Sequence, residues 1–171
     1  MSNLKAVLGR WSNPLSELER GHHLNYVINM LNPLFDSGIE ICPARENVFR
    51  VFDLFEPEAL RVVILGMDPY NDGIKATGVA FGNPEETLKI SPSLKKIEEE
   101  VERTVKGGLN LDFDITLEKW AKQGVLLINS AMTVERGNPG SHMQVWKKFT
   151  ETMISELSRN FDNLYFCFWM R

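Results

Sequence analysis

VVILGMDPYNDGIKATGVAF, residues 62–81, is the stretch from which the fold is read. Four unbroken apolar residues, Val62, Val63, Ile64 and Leu65, are closed by Gly66. A short β-branched run stopped by glycine is the pattern of a strand buried on both faces, as at the centre of a parallel sheet. Met67-Asp68-Pro69-Tyr70-Asn71 begins where that strand ends. Ligands of open α/β sheets bind at the carboxyl ends of strands. Pro69 fixes its own φ and pushes Asp68 out of helical conformation, so the carboxylate is held on a stiff, non-helical turn. An isolated Asp-Pro pair would be read as a turn cap. Its place after a buried strand gives it a second meaning.

Upstream of this stretch, residues 1–36 are predicted to form an N-terminal helical region. Leu24, Val27, Ile28 and Leu31 recur at helical spacing, and Asn32-Pro33 is expected to stop that helix. His22 and His23 are adjacent, so on a helix they diverge and do not share a metal; both are read as surface residues. Ile39–Pro43 is a short extended piece, and Val48, Phe49, Val51, Phe52, Leu54 and Phe55 form an apolar cluster assigned to the core. Downstream, Val79–Gly82 reads as a short extended run. Ser91-Pro92-Ser93-Leu94 starts a helix, with Ser91 as N-cap and Pro92 in the first turn. Lys95, Lys96, Glu98, Glu99, Glu100 and Glu102 give that helix a solvated face, and Gly107-Gly108 ends it before a loop over residues 109–116. A short helix over Leu117–Gln123 is stopped by Gly124. Val125–Asn129 is a second buried strand ending in a polar residue, Ser141 opens a further helix, and Leu164–Trp169 is a third strand. Helices between parallel strands give an α/β, three-layer α/β/α fold around a central parallel sheet, with residues 1–171 as one domain.

Composition narrows the function classes. The chain has 171 residues, 43% apolar and 25% charged, enough for a sizeable core without disulfide or metal staples. Cys42 and Cys167 fit no metal or redox spacing and are read as reduced, buried thiols. No run reaches membrane-spanning length, and MSNLKAVLGRW lacks a signal-peptide core, so no membrane association and an intracellular location, cytoplasmic or nuclear, are expected. The formal net charge of −4 opposes phosphate binding, so a nucleic-acid partner would have to be met by a local basic or amide-rich face. No His/Cys/Asp/Glu cluster has ligand spacing; no metal and no cofactor are expected.

Five motifs carry a resemblance. Val62–Tyr70 (VVILGMDPY), Ala76–Phe81 (ATGVAF), Ser91–Leu94 (SPSL), Trp120–Val134 (WAKQGVLLINSAMTV) and Ser141-His142 follow one another with family-like gaps. Together they resemble the uracil-DNA glycosylases of the family that includes the common bacterial and human enzymes, from about Leu24 to the last strand. The resemblance implies hydrolysis of the N-glycosidic bond of uracil in DNA, single-stranded or with the base flipped, as in base-excision repair. It implies that Asp68 orients water and stabilises an oxocarbenium-like sugar. Asn129 would read the uracil edge, Phe81 would stack on the flipped base, and Tyr70 would exclude a methyl group at C5. An amide suits that edge because uracil presents O4 and N3–H side by side. Ser91, Ser93 and Ser141 resemble backbone-phosphate contacts, with His142 supporting their loop.

Two positions depart from the pattern. Met67 stands for the usual glutamine, leaving its backbone N–H to face the base, and Asn71 stands for the usual histidine. The family also continues past the third strand, through a Gly-Ser loop, a helix and a strand, to a loop with an anion-stabilising histidine and a duplex-wedging leucine. Here Met170-Arg171 follows Phe168-Trp169, so the sequence reads as lacking the last strand and helix, and none of His22, His23 or His142 is placed to substitute. Leu164–Trp169 is then expected to have a bare edge that favours a protein partner. The readings kept open are a glycosylase, an impaired glycosylase-like module binding DNA or a protein, and a glycosylase for another modified pyrimidine.

Overall fold

A computed structural model describes residues 4–105 and 113–169. Helices α1 (Leu4–Leu8), α2 (Glu17–Arg20) and α3 (His23–Asp36) lead to β1 (Ile41–Cys42) and β2 (Val62–Gly66). Then come α4 (Pro92–Thr104), α5 (Glu118–Ala121), β3 (Val125–Asn129), β4 (Val134–Glu135), α6 (Met143–Asn160) and β5 (Tyr165–Phe168). The expected end of α4 at Gly107-Gly108 and the first half of the following loop lie outside the described residues.

The run at residues 62–66 is the middle strand. β2 pairs in parallel with β3, from Val62 opposite Val125 to Gly66 opposite Asn129, and with β5, from Val62 opposite Tyr165 to Leu65 opposite Phe168. Side chains alternate between sheet faces. Val63, Leu65, Leu126 and Ile128 therefore share one face, packed with Trp11, Trp146 and the N-terminal helices. Ile64, Val125 and Leu127 share the other, against Leu94 of α4 and Leu117. Helices on both faces of a parallel sheet make this an α/β architecture, as the alternating pattern predicts. β1 and β4 form a separate antiparallel pair.

The N-terminal region is fixed by long-range contacts. Trp11 is fully buried, meets Phe52 and Phe55 edge-on, and donates its indole N–H to the Phe55 carbonyl. Glu156 of α6 is also buried, and its Oε1 accepts the Glu17 backbone N–H at 2.8 Å. Burial pushes its carboxyl up from the ordinary value.

Several local expectations are corrected. α3 runs through Pro33 to Asp36, because proline removes only its own donor and the exposed last turn tolerates the loss. Val79–Gly82 is a turn, not an extended run: Phe81 has φ +67°, and the Ala80 N–H donates to Leu127, covering the outer edge of β3. α6 starts at Met143, with His142 rather than Ser141 at the N-cap position. Cys42 is buried as expected, but Cys167 is exposed on β5. Tyr165 and Phe168 on that strand are 74% and 58% exposed. Among the described residues no helix is long and apolar enough to cross a membrane.

Candidate active site

The register that sets Gly66 opposite Asn129 brings the ends of β2 and β3 side by side. Side chains that follow these two residues converge on one cleft. It is lined by Met67, Asp68, Pro69 and Tyr70 after β2, by Ala76 and Gly78–Phe81 from the covering turn, by Ile128, Asn129 and Met132 from β3 and beyond, and by Val48, Ser93 and Trp169. Its volume is about 130 Å³. An apolar cavity of roughly 150 Å³ holds one benzene ring, so this cleft is sized for a single six-membered ring.

Each wall has an identifiable support. Asp68 Oδ2 accepts the backbone N–H of Gly140 at 2.7 Å, which fixes the carboxylate's rotation and leaves Oδ1 available to a water. Gly140 has φ +78°, a conformation that costs a glycine nothing and turns its amide toward Asp68. Asn129 has no side-chain hydrogen bond among the described residues, so both its acceptor and its donor remain for a ligand. Gly66 makes that possible. A Cβ there would overlap Asn129 Oδ1 and lie 3.0 Å from Phe81 Cζ. Phe81 holds a left-handed backbone conformation that costs a non-glycine residue about 1–3 kcal/mol. The Tyr70 hydroxyl donates to the Phe81 carbonyl at 2.9 Å and locks both rings. Burial raises the Tyr70 phenol above its usual pKa, so it stays a donor across the working pH range. Trp169 meets Phe81 edge-on, with centroids 6.3 Å apart.

The residues singled out in the sequence do not all arrive here. Met67, Asp68, Tyr70, Phe81, Ser93 and Asn129 line the cleft; Asn71, Ser91, Ser141 and His142 do not. Asn71 accepts the Gly137 N–H through its carbonyl, so it shapes the neighbouring loop instead. Ser91 stands at the N-cap position of α4 as expected, without a side-chain cap bond, but as a phosphate contact it is corrected: its buried hydroxyl engages Asn83, which withdraws it from a phosphate. Ser141 Oγ accepts the Glu135 N–H and keeps its own proton free to donate. No histidine lines the cleft among the described residues. Nor do the described residues contain a group of three or more His, Cys, Asp or Glu that could hold a metal ion. Gly140 carried no site signal in the sequence, and Gly66 only that of a strand end, since backbone donors and steric room leave no residue pattern; Trp169 and Asn83 join through tertiary contacts that local sequence does not mark.

His142 is a buried strut. Trp146 Nε1–H donates to Thr133 Oγ1 at 2.7 Å, and Thr133 Oγ1 in turn shares a hydrogen bond with His142 Nδ1 at 2.9 Å, its direction set by the imidazole tautomer. Burial lowers its pKa below 6.5, with Glu135 Oε1 at 3.9 Å pulling the other way. Where the folded pKa is depressed, the unfolded chain binds the proton more readily. The stabilisation is therefore complete above pH 6.5 and lost as pH falls through the folded value. Urea unfolding midpoints are expected to drop between pH 7 and pH 5.5, with a shallower slope in His142→Gln. His23, lowered the same way by burial, accounts for part of the slope that remains.

A family model for the uracil DNA glycosylase superfamily matches residues 52–168. The uracil-DNA glycosylase of Francisella tularensis subsp. novicida strain U112 is 37% identical over 164 residues, covering 93% of this chain and 72% of that protein. The enzyme of the same name from subsp. tularensis strain WY96-3418 is 35% identical over 160 residues, with the same coverage. Among solved structures, mimivirus uracil-DNA glycosylase superposes with a TM-score of 0.84 at 28% identity. That match covers 96% of this chain, which spans 62% of the mimivirus chain. The UNG of Nitratifractor salsuginis, at 16% identity and a TM-score of 0.63, shares the fold, over 98% of this chain and 85% of its own.

Proposed function

The chain belongs to the uracil-DNA glycosylase superfamily, and on that premise we propose that it hydrolyses the N-glycosidic bond of uracil in DNA, releasing the free base as the first step of base-excision repair. The observation that carries this is the pairing of Asp68, oriented by Gly140, with the unpartnered Asn129 amide across a cleft sized for one ring. A flipped pyrimidine would stack on Phe81, with Tyr70 against its C5 edge. Asn129 Oδ1 would accept N3–H while Nδ2 donates to O4, where negative charge gathers as the bond to the sugar breaks. The bonding electrons leave with the base. Asp68 faces the cation left on the sugar, and water oriented by Oδ1 adds to the anomeric carbon, losing a proton that ends, by way of the carboxylate or solvent, on the departing base. Met67 replaces a hydrogen-bonding side chain with an apolar one, which suits a base read mainly through Asn129. Electrostatic stabilisation by the Asp68 carboxylate supplies the largest share of the rate.

Phosphates would be met without net positive charge. Ser93 sits in the first turn of α4, where unpaired amides and the helix dipole favour an anion. The Ser141 hydroxyl is a second donor. Single-stranded DNA suits this arrangement, because an unpaired base enters the cleft without breaking a duplex. The exposed Tyr165 and Phe168 on the edge of β5 favour a protein contact alongside DNA.

The test is release of free uracil from a single-stranded oligonucleotide. Release that is lost in both Asp68→Asn and Asn129→Ala supports the assignment. Uracil-DNA binding without release by clean wild-type protein would leave this chain a binding module instead.

A further inference from the structure

Trp169 stands at the rim of the cleft, one residue beyond the end of β5. Its backbone N–H donates to the Leu65 carbonyl at 2.9 Å, which carries the parallel ladder past Phe168 and fixes where the indole leaves the sheet. Side chains alternate along a strand. Phe168 therefore leaves on the same face as its register partner Leu65, and Trp169 leaves on the other, against Phe81. Trp11 and Trp146 are fully buried, whereas Trp169 is 39% exposed and divides its surface between cleft and solvent.

The Trp169 and Phe81 rings meet at 66°. A base stacked on Phe81 lies parallel to that ring and meets Trp169 at the same steep angle, so one base does not stack on both. The exposed part of the indole is left for a second ring close to the first. In a single strand, that ring is the base next to the uracil. Charge points the same way. Among the described residues no Lys, Arg or His lines the cleft, and the chain carries a formal net charge of −4. Counterion release is then a weak source of affinity. Stacking on aromatic side chains is the other source for single strands, and it tolerates every base. We infer that Trp169 is a second base subsite, a stacking platform for the nucleobase adjoining the uracil in single-stranded DNA. This rests on the glycosylase reading above and goes beyond it by giving the strand, and not the flipped base alone, a place to bind.

The test pairs a change in the protein with a change in the substrate. Wild type, Trp169→Ala and Trp169→Phe are compared on single-stranded oligonucleotides carrying one uracil, with its two neighbours either intact or replaced by abasic residues. Affinity is measured in the Asp68→Asn background, where the base is retained, and kcat and KM in the active one. Removal of the neighbouring bases is expected to weaken wild-type binding about tenfold. Trp169→Ala should lose as much on the intact strand and nothing further on the abasic one, with KM moving more than kcat. Trp169→Phe keeps a stacking face and should retain most of the affinity, while the quenching of tryptophan fluorescence by the intact strand disappears. Phe168→Ala, on the opposite face of the strand, should behave as wild type. Additive losses, with Trp169→Ala still sensitive to removal of the neighbouring bases, would reduce the indole to a support for Phe81 and overturn the inference. Uracil release by wild type would leave the glycosylase reading standing in that case. A wild-type protein that binds the uracil strand without releasing the base would overturn the glycosylase reading, with the platform still decided by the same affinity cycle. A wild-type protein that does not bind the strand would overturn both.

Discussion

Asp68→Asn is expected to lower uracil release about 10³-fold while DNA affinity changes only a few-fold, the range set by removal of one preorganised electrostatic group. The substitution keeps the shape of the side chain, and the amide oxygen can still accept the Gly140 N–H. What disappears is the negative charge beside the anomeric carbon. That charge has little to act on in the ground state, where the sugar is neutral, and much to act on once positive charge develops. An interaction of this kind lowers kcat and kcat/KM together when removed. Single-turnover release, compared with binding of the same oligonucleotide, measures the split. Activity within tenfold of wild type would mean that another group carries the cation, and Asp68 would lose its assignment.

Gly66→Ala is expected to cost uracil release about 10²- to 10³-fold with little loss of folding stability. Gly66 has no positive φ, so an alanine backbone fits the end of β2 without strain. Its Cβ, however, would occupy the space of Asn129 Oδ1 and crowd Phe81. The amide must rotate or the strand ends must part. Misplacement by about 1 Å is enough for a 10²-fold loss when geometry supplies the rate. Asn129→Ala removes the same recognition by a different route. The double variant is therefore expected to be no worse than the poorer single one, since residues acting on one contact are not additive. Additive losses would show that Gly66 acts on something other than the Asn129 amide.

The extent to which the site was legible in the sequence follows from what kind of group does the work. Asp68, Tyr70, Phe81 and Asn129 are side chains at strand ends, and both strands announce themselves as apolar runs closed by glycine or a polar residue. The parallel order, with residues 62–66 in the centre, follows from the same runs. Gly140 contributes only a backbone N–H, and no residue type marks a donor that every residue has. Serine before Pro-Ser marks the N-cap position that Ser91 takes, but nothing local shows that an asparagine eight residues earlier competes for its hydroxyl. Val79–Gly82 looks extended by composition. The turn is imposed by tertiary contacts, namely the Ala80 bond to β3 and the Tyr70 bond that holds Phe81 at positive φ. Asn71 is adjacent in sequence to the site but lies outside its lining, and its backbone carbonyl accepts the Gly137 N–H, a bond that no motif marks.

The bond from Glu156 to the Glu17 amide, with Trp11 packed against Phe161, also constrains how the chain is made. Phe55, which accepts the Trp11 indole N–H, follows it by 44 residues, but the α6 surface that closes over α2 is synthesised far later, as the sequence separation of 139 between Glu17 and Glu156 records. At about 5–20 residues per second that interval is on the order of ten seconds. Throughout it, α2 lacks the α6 surface that completes its packing, although Trp11 can already meet Phe52 and Phe55. The α2 segment is thus among the last to settle, and for those seconds its apolar face is open to a chaperone that recognises short apolar helices.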